Sequence, residues 1–202
     1  MVSLVEGGLL AAFVTIVATM FIAELTDKDA LLLLTLATKL KPWTAFAAGG
    51  TAFTISSAII VTVGYFLLRI LPVYWIKLAG GVVMIGYALW QYFSKEGEEE
   101  SRMIERATQR TGLRVFLGAV SLLILLDLAG DGTEVLEIFY VAHYANVPLV
   151  FLGSITGLIA ASVLETIIGG RLVRVLSIAR IKVFSLLVFL IIGSIIVVTT
   201  LL

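Results

Sequence analysis

Apolar residues run in six long tracts, 8–40, 43–68, 73–93, 113–145, 147–170 and 183–202, and polar residues gather between them. A hydrocarbon core of roughly 30 Å needs about 20 apolar residues per helix. Each tract therefore predicts at least one membrane-spanning α-helix, and the chain is expected to be an all-α polytopic membrane protein with six transmembrane segments. Two tracts are too long for a straight span. Residues 8–40 and 113–145 would each run about 50 Å at 1.5 Å per residue, so each is expected to break or kink, and the break is expected at its acidic cluster. Because five further tracts follow the first, that first tract is not expected to be a cleaved leader.

The only long polar stretch, Lys95 to Arg114 with its run Glu98-Glu99-Glu100, divides the chain into a first unit (1–94), a charged linker (95–112) and a second unit (113–202). At an offset of 104 residues Asp27 falls on Asp131 and Gly49 on Gly153, and Pro42 and Pro148 mark the same turn. Three spans per unit is an odd number, so the second unit enters the membrane from the opposite side. Two inverted three-helix repeats are the pattern of alternating-access transporters, whose site lies where the repeats meet.

Composition sharpens this. The 202 residues are 60% apolar and 14% charged, too few charges to keep a soluble domain of that size wet. Fourteen basic and fourteen acidic residues balance, which gives no footprint for nucleic acid. There is no cysteine and one histidine, His143, so thiolate and imidazole metal cages are excluded, and no resident cofactor is implied. The loops around 39–41, 95–114 and 171–182 carry eleven Lys/Arg, against Arg69 and Lys77 on the other side. By the positive-inside rule, both termini are expected to be extracytoplasmic. Trp43, Trp75 and Trp90 lie near tract ends, as interfacial aromatic belts do, and His143 beside Tyr144 is expected at a headgroup surface.

The chemistry lies in the acids. Eight of the fourteen, Glu24, Asp27, Asp29, Asp127, Asp131, Glu134, Glu137 and Glu165, are inside apolar tracts, while Lys28 is the one basic residue well inside one. Each isolated carboxylate at mid-membrane costs about 2.5–3.5 kcal/mol. So many together require protonation, pairing or bound cations. Glu24 and Asp27 are i,i+3 neighbours, with Thr35 and Thr38 near the same face if the helix continues. Asp127, Asp131 and Glu134 follow i,i+4,i+7. Two such stripes plus hydroxyls such as Thr133 offer the oxygen donors that hard divalent ions take. Lys28 is expected to pair with a neighbouring carboxylate or snorkel, Asp29 to lie at the interface or cap the following segment, and Glu137 to reach an interface. Glu165, near Ser162 and Thr166, is placed to accept a proton or line the path, a role also assigned to Lys28, Thr133 and Thr38.

Through Glu24-Leu25-Thr26-Asp27-Lys28, Lys41-Pro42-Trp43, Ala142-His143-Tyr144, Phe151-Leu152-Gly153 and Gly169-Gly170-Arg171, the chain resembles the calcium/cation antiporter family of Golgi manganese transporters and bacterial manganese exporters. The signature of that family, E-x-G-D-K-[ST], occurs once in each of two inverted repeats. Glu24, Asp27 and Lys28 match the first copy, with Thr26 in place of its glycine and Asp29 in place of its hydroxyl residue. In the second copy Gly130, Asp131 and Thr133 match. Leu128 replaces the glutamate, Gly132 the basic residue, and Glu134 stands where glutamine is usual.

The resemblance implies a divergent member that exchanges Mn²⁺ or Ca²⁺ for protons. The cation would be bound by Glu24, Asp27 and Asp131, with Asp127 or Glu134 supplying the lost carboxylate. Its partners would be the cation, protons and the lipid bilayer; a homo-oligomer stays open. Three alternatives compete: an exporter of another cationic solute of the lysine exporter superfamily type, a cation channel, and an intramembrane aspartyl protease with Asp27 and Asp131 as its dyad. The last is disfavoured because Leu128-Ala129-Gly130-Asp131 lacks the first glycine of G-x-G-D and six other membrane acids have no place in that chemistry.

Overall fold

A computed structural model describes residues 2–93, 105, 113–128, 132–175 and 178–202, the side chains at 2–6, 28, 29, 31, 168–175 and 178–182 excepted. Apart from Glu105, the expected 95–112 linker lies outside the described residues. Among the described residues there is no strand, and eight helices follow one another. They are α1 (Val2–Thr26), α2 (Lys28–Lys39), α3 (Pro42–Ile70), α4 (Val73–Phe93), α5 (Leu113–Asp127), α6 (Gly132–Tyr144), α7 (Val147–Val175) and α8 (Ile178–Leu201). Five are long and apolar enough to cross a membrane, and the α5–α6 pair, bent by 64°, makes a sixth span if its two pieces count as one.

Proline and side-chain caps set the helix starts. Pro42 occupies the first turn of α3, where its missing N–H costs nothing. Leu71, extended at φ −117° and ψ 142°, precedes Pro72 as the steric demand of proline requires, and α4 begins directly after it. At the start of α7, Asn146 Oδ1 accepts the Leu149 N–H at 3.2 Å. The preceding Ala145 turns the chain with φ of 50°.

Both overlong tracts break, and both break at their acidic clusters. In the first, Thr26 Oγ1 donates to the Ala23 carbonyl at 2.9 Å and the Asp27 N–H turns back to the Glu24 carbonyl at 3.0 Å. That tight turn ends α1 with neither glycine nor proline. In the second, α5 ends at Asp127 and α6 starts at Gly132.

The two halves interlock. The first helix of each packs on the third helix of the other, α1 on α7 and α5 on α3, while α4 and α8 form the most extensive interface. Glycines allow the close crossings: a Cβ on Gly81 would stand 3.1 Å from the Gly193 carbonyl, and one on Gly157 would stand 2.7 Å from the Val17 carbonyl. Met20, Leu33, Phe53, Met84, Leu123 and Phe189 fill the centre. The outside is apolar, with Ile70, Phe93, Trp43 and Trp75 exposed, and Glu24, Asp27, Glu137 and Glu165 are inside. A polar interior under an apolar exterior is the arrangement that a lipid solvent favours.

Candidate cation site

Asp27 is fully buried at the first break, and its carboxylate is held from both halves. Oδ1 accepts from the Tyr87 hydroxyl and from Gln91 Nε2, the latter at 3.2 Å. Oδ2 accepts the backbone N–H of Gly132 at 3.2 Å. Gly132 is the first residue of α6, so its N–H is one of the donors that a helix start leaves unpaired, and it lies at the positive end of the helix dipole. The acid at one break thus caps the helix that leaves the other. Gln91 passes the network on, since its Oε1 accepts from the Ser185 hydroxyl of α8.

Gly132 stands where the family signature has a basic residue, and the structure supplies a reason. A Cβ there would overlap the ring of Phe189, itself fully buried and packed edge-on against Tyr87 at 5.5 Å. A long basic side chain has no room beside that ring.

The remaining acids are buried around the two breaks. Glu24 is fully buried one turn before the first, and Asp127 ends α5 at the second. Thr133 and Glu134 are buried in the first turn of α6. Helices α1 and α7 run in register, with Ile16 against Gly153 and Met20 and Phe21 against Gly157. Two further steps of four residues bring Glu24 level with Ala161 and place Glu165 one turn beyond, at the height of the first break. Glu165 is 1% exposed, and neither carboxylate oxygen finds a hydrogen-bond partner among the described residues.

Two expectations change. Thr38 is exposed and spends its hydroxyl on the Thr35 carbonyl at 2.7 Å. The break at Asp27 interrupts the face that was expected to carry Glu24, Asp27 and Thr38 together. Glu137 reaches no interface: it is 2% exposed and accepts from the Ser57 hydroxyl of α3. With α6 starting at Gly132, Glu137 sits mid-helix rather than toward the end of a continuous tract. Asp131 and the side chains of Lys28 and Asp29 lie outside the described residues. Among the described residues no three His, Cys, Asp or Glu side chains are grouped closely enough to hold a metal ion.

Sequence reasoning missed Tyr87, Gln91, Ser185, Ser57 and Phe189. One signal was present: Tyr87 and Gln91 are an i,i+4 polar pair inside an apolar tract. His143, by contrast, is exposed as expected, with Nδ1 3.1 Å from Lys77 Nζ.

No curated protein and no solved structure matches the chain. One family model matches it twice, over residues 12–99 and 112–201, and is described as divalent cation/proton antiporter GDT1. The two matches are the two repeats, and a transporter family leaves no place for the protease reading. Spanning nearly the whole chain, the matches show that this all-helical, multi-pass membrane protein belongs to the divalent cation/proton antiporter GDT1 family.

Proposed function

We propose that Glu24 and Asp27 of the first repeat, Asp131 of the second, and either Asp127 or Glu134 bind a divalent cation, Mn²⁺ or Ca²⁺, at the meeting point of two inverted repeats. The observation that carries this reading is the Asp27–Gly132 hydrogen bond, which joins the first break to the second. Oxygen donors alone suit a hard dication, and the absence of cysteine agrees.

The cation and protons compete for the same oxygens. A bound dication stabilises the ionised carboxylates, whereas protonation removes the charge that holds it. To ligate the cation, Asp27 exchanges its bonds from Tyr87, Gln91 and Gly132 for metal contact. To release it, protons taken up by the neighbouring acids weaken the hold on the metal, and those bonds to the ionised Asp27 return. Thr133 and Glu165, beside the breaks, line the path, and Lys28 offsets the charge of the acids when the site is empty. Rocking of one repeat on the other exposes the site alternately. The positive loops face the cytoplasm, with both termini outside.

Affinity is therefore expected to fall as pH falls, by up to about tenfold per pH unit for each proton displaced. In proteoliposomes, cation flux should follow an imposed pH gradient, and competition between Mn²⁺ and Ca²⁺ in that assay ranks the two. Flux that ignores the gradient would remove the exchange mechanism; flux that never saturates would favour the channel. The missing second-motif carboxylate is assigned by a pair of variants, Asp127→Asn and Glu134→Gln. The one that replaces it should lose about 10-fold or more in cation affinity. Unchanged affinity in both would exclude both.

A further inference from the structure

A second polar group lies deeper in the bundle. Glu137 of α6 accepts from Ser57 Oγ of α3, and Ser154 of α7 lies beside the same carboxylate. All three are buried, at 2%, 2% and 0% exposure. Ser154 Oγ is a second buried hydroxyl within reach of the acid. One residue comes from the first half and two from the second.

This group is separate from the breaks. Glu137 is five residues beyond Gly132, about 7–8 Å along the α6 axis. Apart from Glu134, the titratable groups on α6 and on the helices packed around it are engaged or distant. Tyr87 of α4 bonds Asp27, and Lys77 of α4 lies at His143. Tyr140, one turn along α6, pairs with Thr19 of α1 at 2.5 Å. Glu24 lies in the last turn of α1, Glu165 is eleven residues past Ser154 on α7, and Tyr65 and Arg69 bond each other at the far end of α3. Glu134 lies one turn back on α6. No basic side chain among the described residues pairs with Glu137.

We propose that Glu137, set between Ser57 of one half and Ser154 of the other, carries a proton of the exchange at a place apart from the cation. A carboxyl group among hydroxyls suits a proton better than a dication, because it offers one negative charge where a dication needs two neutralised. A serine hydroxyl either donates to the ionised form or accepts from the protonated one, so the cluster holds together in both states. The step is a simple transfer: a proton from water on one side joins Glu137 Oε and later leaves to water on the other. Since Ser57 and Glu137 belong to different halves, relative motion of the halves breaks their bond and opens the carboxyl to the new side.

This inference rests on the exchange proposed above, and two transport modes separate them. Cation-for-cation counterflow at equal pH needs no proton transfer, whereas flux driven by a pH gradient does. Glu137→Gln should keep counterflow within about twofold of the parent protein and lose at least tenfold in gradient-driven flux. Gradient-driven flux within twofold of the parent would overturn the inference. So would loss of both modes in a folded variant, which would place Glu137 on the cation path.

A parent protein without gradient-driven flux would instead defeat the exchange reading itself. If Glu137→Gln fails to fold, Ser57→Ala decides. Losing a donor to the ionised carboxyl favours the protonated form, so the pH of half-maximal exchange should move upward, with Ser57→Thr restoring it. An unmoved midpoint would refute the assignment.

Discussion

Asp27→Asn should abolish cation exchange while leaving most of the fold in place. Removing only an outer partner of a bound metal typically costs 10–100-fold in affinity, so loss of a direct carboxylate should cost at least about 100-fold. The structural cost is smaller. An asparagine oxygen still accepts from Tyr87, but its amide would face the Gly132 N–H donor to donor, and the helix start would lose a charge worth about 0.3–1 kcal/mol. With the buried Gly132 N–H left unsatisfied at about 1–3 kcal/mol, thermal unfolding in detergent should fall by several degrees in a protein that still folds, whereas cation binding by calorimetry should disappear. Near-normal binding in a folded Asp27→Asn protein would mean that the Asp27 network is purely structural.

Gly157→Val should act in the opposite order, on packing first and transport as a consequence. Its Cβ would meet the Val17 carbonyl at 2.7 Å, the Met20 Cβ at 2.9 Å and the Phe21 nitrogen at 3.0 Å. Two of those atoms are backbone and cannot rotate away, so α1 and α7 must separate. Overpacking of this kind costs about 1–3 kcal/mol or more. Continued along the two helices, that register brings Glu24 level with Ala161 and Glu165 one turn beyond, so separating the helices moves the two buried acids relative to each other. The expected readouts are a lower unfolding temperature and weakened cation affinity together. A stable variant with reduced transport would show that the α1–α7 crossing tunes motion rather than holding the bundle together.

Membrane spans and breaks were legible for one reason: charge in hydrocarbon is costly, so apolar length and acidic clusters stand out without three-dimensional information. Glu24, Asp27, Asp127, Glu134 and Glu165 were visible in this way. Neutral polar groups carry no such mark. Ser57 and Ser185 look like ordinary residues of apolar helices until their partners, Glu137 and Gln91, are brought to them from other tracts, and Tyr87 and Gln91 show only their i,i+4 spacing. Thr38 was misplaced because a 3.6-residue period was continued through Asp27, where the helix ends. Glu137 was misplaced because its partner, Ser57, comes from another tract 80 positions away. The role of Gly132 was unreadable, since Phe189, the side chain that forbids a longer residue there, is 57 positions away.

Diffraction from crystals soaked in Mn²⁺, recorded where the ion scatters anomalously, tests the shared-site reading most directly. One peak is expected in the protein interior, within about 2.5 Å of carboxylate oxygens from both Asp27 and Asp131. A peak bound by acids of one half alone, or lying away from the two helix breaks, would contradict it.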